Sequence, residues 1–248
     1  MTHTTPTTPT APVRNKQRRI MPFFGLSLGV SVFALSLLVV LPFVMMILTT
    51  LGMGFGEIVN TIKEPQVFHA IKLSLSMAIL ATLTNLVFGT LIAWVLVRYD
   101  FWGKSFINAL VDLPFALPTA VTGISLATLY APTGLFGQVF TKLGVALTGE
   151  PIRIAFTPIG IWLALVVVSF PFIVRAVQPV LAELSVEFEE ASAVMGASRL
   201  TTFVKVILPE IAPAMLIGSG MMFARATGEY GSVIFIAGNI PMQSEILP

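Results

Sequence analysis

The sequence predicts an all-α protein that crosses a bilayer several times, and three observations predict it. Of 248 residues, 56% are hydrophobic and only 10% charged, with a mean hydropathy of +0.92. That is far too little charge to coat a water-soluble globule of this length. The charges are also segregated, because long runs hold none and basic residues collect at their ends. Finally, such runs reach the roughly 20 residues that a helix rising about 1.5 Å per residue needs to cross the hydrocarbon. A helix satisfies its backbone N–H and C=O groups internally, which the bilayer requires.

The elements follow in order. Residues 1–13 are Thr- and Pro-rich, cannot bury a core, and are expected to be a disordered tail. The remainder, 14–248, reads as a transmembrane domain. Arg14, Lys16, Arg18 and Arg19 precede an uncharged run from Ile20 to Gly56, which predicts a first span over 24–51. The run exceeds the roughly 7–15 residues of a signal-peptide core and lacks a small-residue cleavage site, so the helix is expected to be retained. A second span is predicted over 73–97, closing on Arg98, Asp100 and Lys104. A third, over 106–131, contains Pro114 and Pro118; a break is expected near Pro114, with the preceding residues along the interface. The fourth, 154–174, is bounded by Arg153 and Arg175, and the fifth covers 211–236.

Several classes are disfavoured, and a secondary transporter stays as the alternative of another class. The net charge is only +2 and no basic cluster occurs beyond the N-terminus, so the basic residues read as topology signals and nucleic acid is not an expected partner. There is no cysteine and only two scattered histidines, which argues against a metal centre. No GxxxxGK[ST] loop is present, so the chain brings no nucleotide chemistry of its own. A secondary transporter needs mid-membrane carboxylates and a repeated half, whereas only Glu229 qualifies and no repeat is seen. An intramembrane enzyme needs a nucleophile with its base, and neither His3 nor His69 lies within a predicted span.

The longest polar segment, 181–209, carries two apolar stripes at helical spacing: Leu181, Leu184, Phe188 and Ala191, then Leu200, Phe203, Val204 and Ile207. Gly196 can stop the first helix and Ser198 can cap the second, with Pro209 ending it or turning it into the next span. Glu190, Ala191, Gly196, Leu208 and Pro209 fall at the spacing of EAAxxxG followed by IxLP, with Ser192 and Val206 departing from it. The segment resembles the EAA loop of permease subunits of bacterial ABC importers. Val111–Val121, Phe170–Leu181 and Ala224–Ile240 are further similar to the T-type permease of sulfate/thiosulfate importers. Molybdate and tungstate permeases share the loop and a similar RxxGEFG segment, and remain an alternative.

The resemblance implies a type I importer bundle in the bacterial inner membrane. It also implies a homologous second permease, two ABC ATPase subunits and an extracytoplasmic sulfate-binding protein. No cofactor is expected in this chain; ATP and Mg would be bound by the ATPase. Glu187, Glu190, Ala191, Gly196, Arg199 and Pro209 are the residues expected to couple to it. The family has six spans and only five are predicted here before Pro248, so a C-terminal truncation is expected.

Nine basic residues lie in the N-terminal tail, the Arg98–Lys104 turn and the Arg175–Lys205 segment, against four on the other side, Lys63, Lys72, Lys142 and Arg153. The first side is therefore expected to be cytoplasmic, with the N-terminus and the EAA-like loop. Arg225 and Glu229 are spaced to share a helix face inside the fifth span, where a central charge costs about 2.5–3.5 kcal/mol. Two readings stand: a point on an anion path, or a neutralised pair that holds helices in register. Asp112 likewise reads either as a pathway residue or as a carboxylate at the positive start of its helix. Asn85 and Asn239 are expected to bond between helices, Trp94 and Tyr99 to anchor at the interface, and Met45 and Met46 to pack.

Overall fold

The computed structural model describes residues 24–247, so the tail expected over 1–13 and the basic cluster before the first span lie outside the described residues. The described chain is helical, and it falls into two units that divide between Asn60 and Thr61.

In the first unit, α1 runs from Phe24 to Gly52 and contains a π-helical turn at Ser36–Val40. Pro42 explains the turn. A proline ring crowds the carbonyl four residues back, and widening the helix relieves the clash, here with the Leu41 N–H bonding Ser36 O. The Thr49 and Thr50 hydroxyls donate to the Met45 and Met46 carbonyls at 2.8 and 2.9 Å, hiding two donors on an apolar surface. Met45 and Met46 themselves are exposed, where the sequence predicts packing. A short amphipathic helix, α2 (Phe55–Lys63), follows and straddles the boundary between units.

The second unit is built on three long helices in mutual contact, α3 (Pro65–Arg98), α7 (Pro158–Glu183) and α9 (Arg199–Thr227). Small residues set their separation. Gly89 lies so close to α7 that a Cβ there would stand 2.0 Å from Ile173, and one at Gly218 would stand 2.8 Å from Ala176. Ala78, Ala81 and Ala93 are fully buried on the same helix as Gly89. Such close approach is how helices associate where lipid gives no hydrophobic drive. Polar side chains stitch the seam: Asn85 Nδ2 donates to Val166 O at 2.8 Å, as expected of an interhelical bond, and Trp162 donates to Thr84 at 3.1 Å. Asn239, in contrast, accepts from Ile246 N within the C-terminal turn rather than between long helices.

Between α3 and α7 lie α4 (Lys104–Ala116), α5 (Thr119–Tyr130) and α6 (Leu135–Thr148). The pair α4 and α5 meets at 112°, so the segment predicted as the third span is two helices and not one straight rod. The break lies at Leu117 and Pro118, both extended, and not near Pro114, which stays inside α4. A bond from Leu117 N to Leu113 O closes the turn around Pro114, whereas extended geometry is what a residue before proline prefers.

Two further boundaries differ from prediction. The fourth helix runs past Arg175 to Glu183 with Pro171 and Pro179 inside it. The fifth ends at Thr227, nine residues short of Ile236, and after a turn the chain resumes as α10 (Val233–Ala237). That turn is seated against the start of α5: a Cβ at Gly123 would meet Ser232 O at 2.2 Å and one at Gly231 would meet Thr119 Oγ1 at 2.6 Å.

Candidate functional site

Past Glu183 the backbone straightens at Leu184, and α8 (Glu187–Val194) begins with the Glu187 N–H donating to Ser185 Oγ at 3.2 Å. Glu187, Glu189 and Glu190 occupy its first turn, where the positive end of the helix dipole favours carboxylates. The helix stops as the sequence predicts. Gly196 adopts φ +81°, and bonds from Gly196 N to Ala193 O and from Ala197 N to Ser192 O close the end. A side chain at Gly196 would meet nothing within 4 Å, so conformation rather than space calls for glycine. Ser198 Oγ then accepts from Thr201 N at 3.2 Å and caps the next helix.

That helix does not end at Pro209. The segment Arg199–Thr202 passes through a π-helical turn, Phe203–Ile207, into the membrane span, so the second arm of the elbow and α9 are one rod. Its π turn mirrors that in α1, with the Leu208 N–H bonding Phe203 O just before Pro209. Ser192, which departs from the EAA pattern, is buried and shares a 2.8 Å hydroxyl bond with buried Thr202 that ties the two arms together.

The predicted stripes divide rather than bury as a block. Leu181 and Ile207 are in the core, while Phe188, Ala191, Leu200 and Val204 are exposed. At the tip Val194, Met195 and Leu200 are 88%, 81% and 73% exposed, an apolar cap on a polar segment. Sequence reasoning missed Val194 and Met195, which stand outside both stripes; two apolar residues just before the helix-ending glycine were the available signal. On its inner side the elbow borders an open cleft of about 450 Å³, lined in part by Trp94, Tyr99, Glu190 and Arg199.

Arg98 fastens the elbow to α3. Its guanidinium pairs with Glu189 at 2.8 Å and donates to Leu184 O at 3.0 Å, and Trp94 packs on Phe203 with ring centroids 4.6 Å apart and the planes tilted by 42°. Trp94 thus packs between helices in addition to any interfacial role. Sequence reasoning used Arg98 and Arg175 only as topology markers. Nearby, Lys104 hydrogen-bonds exposed Asp100 and holds its carboxyl below the ordinary carboxylate value.

Arg225 and Glu229 do meet, Nη1 to Oε2 at 2.5 Å, but not on a shared helix face, because Glu229 stands beyond the end of α9. Its carboxylate is buried, and Oε1 accepts from Ser232 N at 2.8 Å. One side chain thereby joins the helix end to the turn after it.

Asp112 is the ninth of thirteen residues in α4, so it does not sit at the helix start. It takes a bidentate grip from Arg175, Nε to Oδ1 at 2.7 Å and Nη2 to Oδ2 at 2.5 Å. Among the described residues no group of acidic, histidine or cysteine side chains is placed to hold a metal ion.

One bent helix pair packs beside a core of close-packed rods, and a two-helix elbow is carried between two of those rods. The chain belongs to the family of binding-protein-dependent transport system inner membrane components, whose pattern matches residues 85–247. It is thus a multi-pass inner-membrane protein of the ABC permease family. It is 44% identical over 229 residues to the sulfate transport system permease protein CysT of Salmonella typhimurium, covering 92% of this chain and 80% of that one. The Escherichia coli protein of the same name matches at the same identity and coverage. A probable sulfate permease of Nephroselmis olivacea is 47% identical over 193 residues, 78% of this chain and 66% of its own. A bacterial ABC transporter for the acidic polysaccharide alginate shares the fold at a TM-score of 0.67 and 16% identity, over 90% of this chain and 79% of the other.

Proposed function

We propose that this chain is a non-catalytic, pore-forming subunit of an ATP-driven importer of sulfate and thiosulfate. It pairs with a homologous second permease, receives substrate from an extracytoplasmic binding protein, and takes force from two ATPase subunits that hold ATP and Mg. The N-terminus and the 181–209 elbow face the cytoplasm, in keeping with the excess of basic residues on that side. Identity to several sulfate permeases supports the substrate.

The observation that carries the coupling role is the exposed apolar tip, Val194, Met195 and Leu200, on a segment that is otherwise polar. Water-facing apolar side chains at a rigid bend fit a groove on a partner. Glu187, Glu190, Ala191 and Arg199 flank the tip, and Gly196 shapes it. Pro209 lies where the elbow's second arm enters the membrane. Because that arm is continuous with α9, displacement of the tip acts on the span as on a lever.

Arg225 and Glu229 act in this reading as a neutralised pair that pins the Gly228–Ser232 turn, which the bond to Ser232 N favours over a free cationic point on the pathway.

The test is radiolabelled sulfate uptake by the four-subunit complex in proteoliposomes with the binding protein enclosed on the receptor side. Gly196→Val is expected to lower uptake at least tenfold per ATP hydrolysed. Unchanged uptake with this variant, or uptake of molybdate in preference to sulfate, would overturn the coupling role or the substrate respectively.

A further inference from the structure

A dense polar cluster lies outside the elbow, around Arg175. We propose that Arg175 is a positioning residue that couples the broken helix pair α4 and α5 to the elbow, by clamping α4 onto α7 at a built-in hinge. The proposal rests on the elbow's docking role above.

Arginine carries five N–H donors in a rigid fork, and here all five are used. Nε and Nη2 hold the two oxygens of Asp112, Nη1 holds Asn108 Oδ1 at 2.9 Å and Gln178 Oε1 at 2.6 Å, and Nη2 reaches Asn108 O at 3.0 Å. Three of the four partner groups belong to α4, so the fork grips two successive turns of that helix. A lysine could supply one point charge there but could not span both turns. Full use of a guanidinium's geometry goes beyond what a topology signal or a surface ion pair requires.

The hinge lies at the same height. Pro179 has no N–H to return to the carbonyl four residues back, which is that of Arg175 itself, so α7 lacks a rung where the clamp attaches. Four residues beyond Pro179 the helix ends and the elbow begins. At its other end α4 meets α5 through the extended Leu117–Pro118 break, and α5 packs on the Gly228–Ser232 turn after α9. Elbow, hinge, clamp and bent pair therefore form one chain of direct contacts. Without the clamp, α7 could shift beside α4 as the tip moves, and that movement would not reach α5.

The assay uses the four-subunit complex in proteoliposomes, comparing Arg175→Lys, Asp112→Asn and the conservative Asp112→Glu. The first two are expected to lower sulfate carried per ATP hydrolysed by about fivefold or more, with complex yield and hydrolysis rate retained and with Asp112→Glu close to the parent. A second readout exploits the absence of cysteine. Ser105→Cys on α4 should change its maleimide reactivity between nucleotide-free and ATP-bound complex, and Arg175→Lys should abolish that change. Yield, hydrolysis and uptake falling in proportion, with the reactivity change preserved, would overturn the clamp and leave Arg175 as packing. If Gly196→Val keeps the uptake ratio while Arg175→Lys lowers it, docking through the tip is wrong and coupling of α4 to the elbow is overturned with it, leaving only a link between α4 and α7.

Discussion

Gly196 and Glu229 illustrate how single positions carry the elements around them. At φ +81° Gly196 occupies a region that costs an L side chain about 1–2 kcal/mol, so Gly196→Ala should destabilise the elbow by that order without touching a neighbour. Protease sensitivity of the 181–209 segment would report it. Glu229→Ala leaves the Arg225 guanidinium without its carboxylate and orphans the Ser232 N–H. A loss of about 3 kcal/mol is expected, seen as a lower thermal midpoint of the purified complex. Glu229→Gln should lose less, since its amide oxygen can still accept from Ser232. Asp100 gives a pH expectation. Its carboxyl is held low by Lys104, so any stabilisation is present above the ordinary carboxylate value, near 3.9, and is lost as pH falls through the lowered one. Between about pH 6 and 8 the Asp100–Lys104 contact should therefore contribute no pH dependence, and uptake profiles of the parent and Asp100→Asn should superimpose.

At the scale of elements, one dipeptide shows what local sequence does and does not decide. Within the described helices and their breaks, Leu-Pro occurs at Pro42, Pro114, Pro118 and Pro209. Before Pro42 and Pro209 the helix widens into a π turn and goes on; at Pro114 it continues; at Pro118 it breaks by 112°. Proline dictates that a hydrogen bond is missing, but the neighbours decide how the helix responds. Asn108 and Asp112, in the two turns before Pro114, are held by Arg175, whereas Leu117 and Pro118 lie beyond that grip. Helix contacts give a matching prediction. Gly123→Ala meets the backbone oxygen of Ser232, which cannot rotate away, and should cost about 1–3 kcal/mol. Gly89→Ala meets the buried, β-branched Ile173 and should cost a similar amount. Thermal unfolding of the two purified variants checks both.

On the scale of the molecule, the expected traffic of force runs from an exposed apolar tip into two rods. Met195→Asp places a charge on the 81%-exposed tip residue, where it should not disturb this chain's own core. It is therefore expected to reduce ATPase copurification severalfold while leaving the amount of inserted permease unchanged. Orientation is checked by labelling: with no native cysteine, Ser198→Cys should react with an impermeant maleimide only from the cytoplasmic side.

Much of this organisation was legible because the bilayer imposes a simple rule. Uncharged runs must be helices, basic residues mark their ends, and glycine followed by a serine cap must bend a chain between two helical stripes. Those constraints act within about 20 residues and are written in composition and spacing. Ends and partners were not legible in the same way. The fifth helix stops at Thr227 because the turn after it is seated on α5 and pinned by Glu229, contacts that join distant parts of the chain. Arg175 and Arg98 read as boundary charges until folding brought Asp112 and Glu189 to them from other helices. Covalent order determined where the chain crosses the membrane and where it bends in water; only packing between segments remote in sequence decided which charges are spent on holding those segments together.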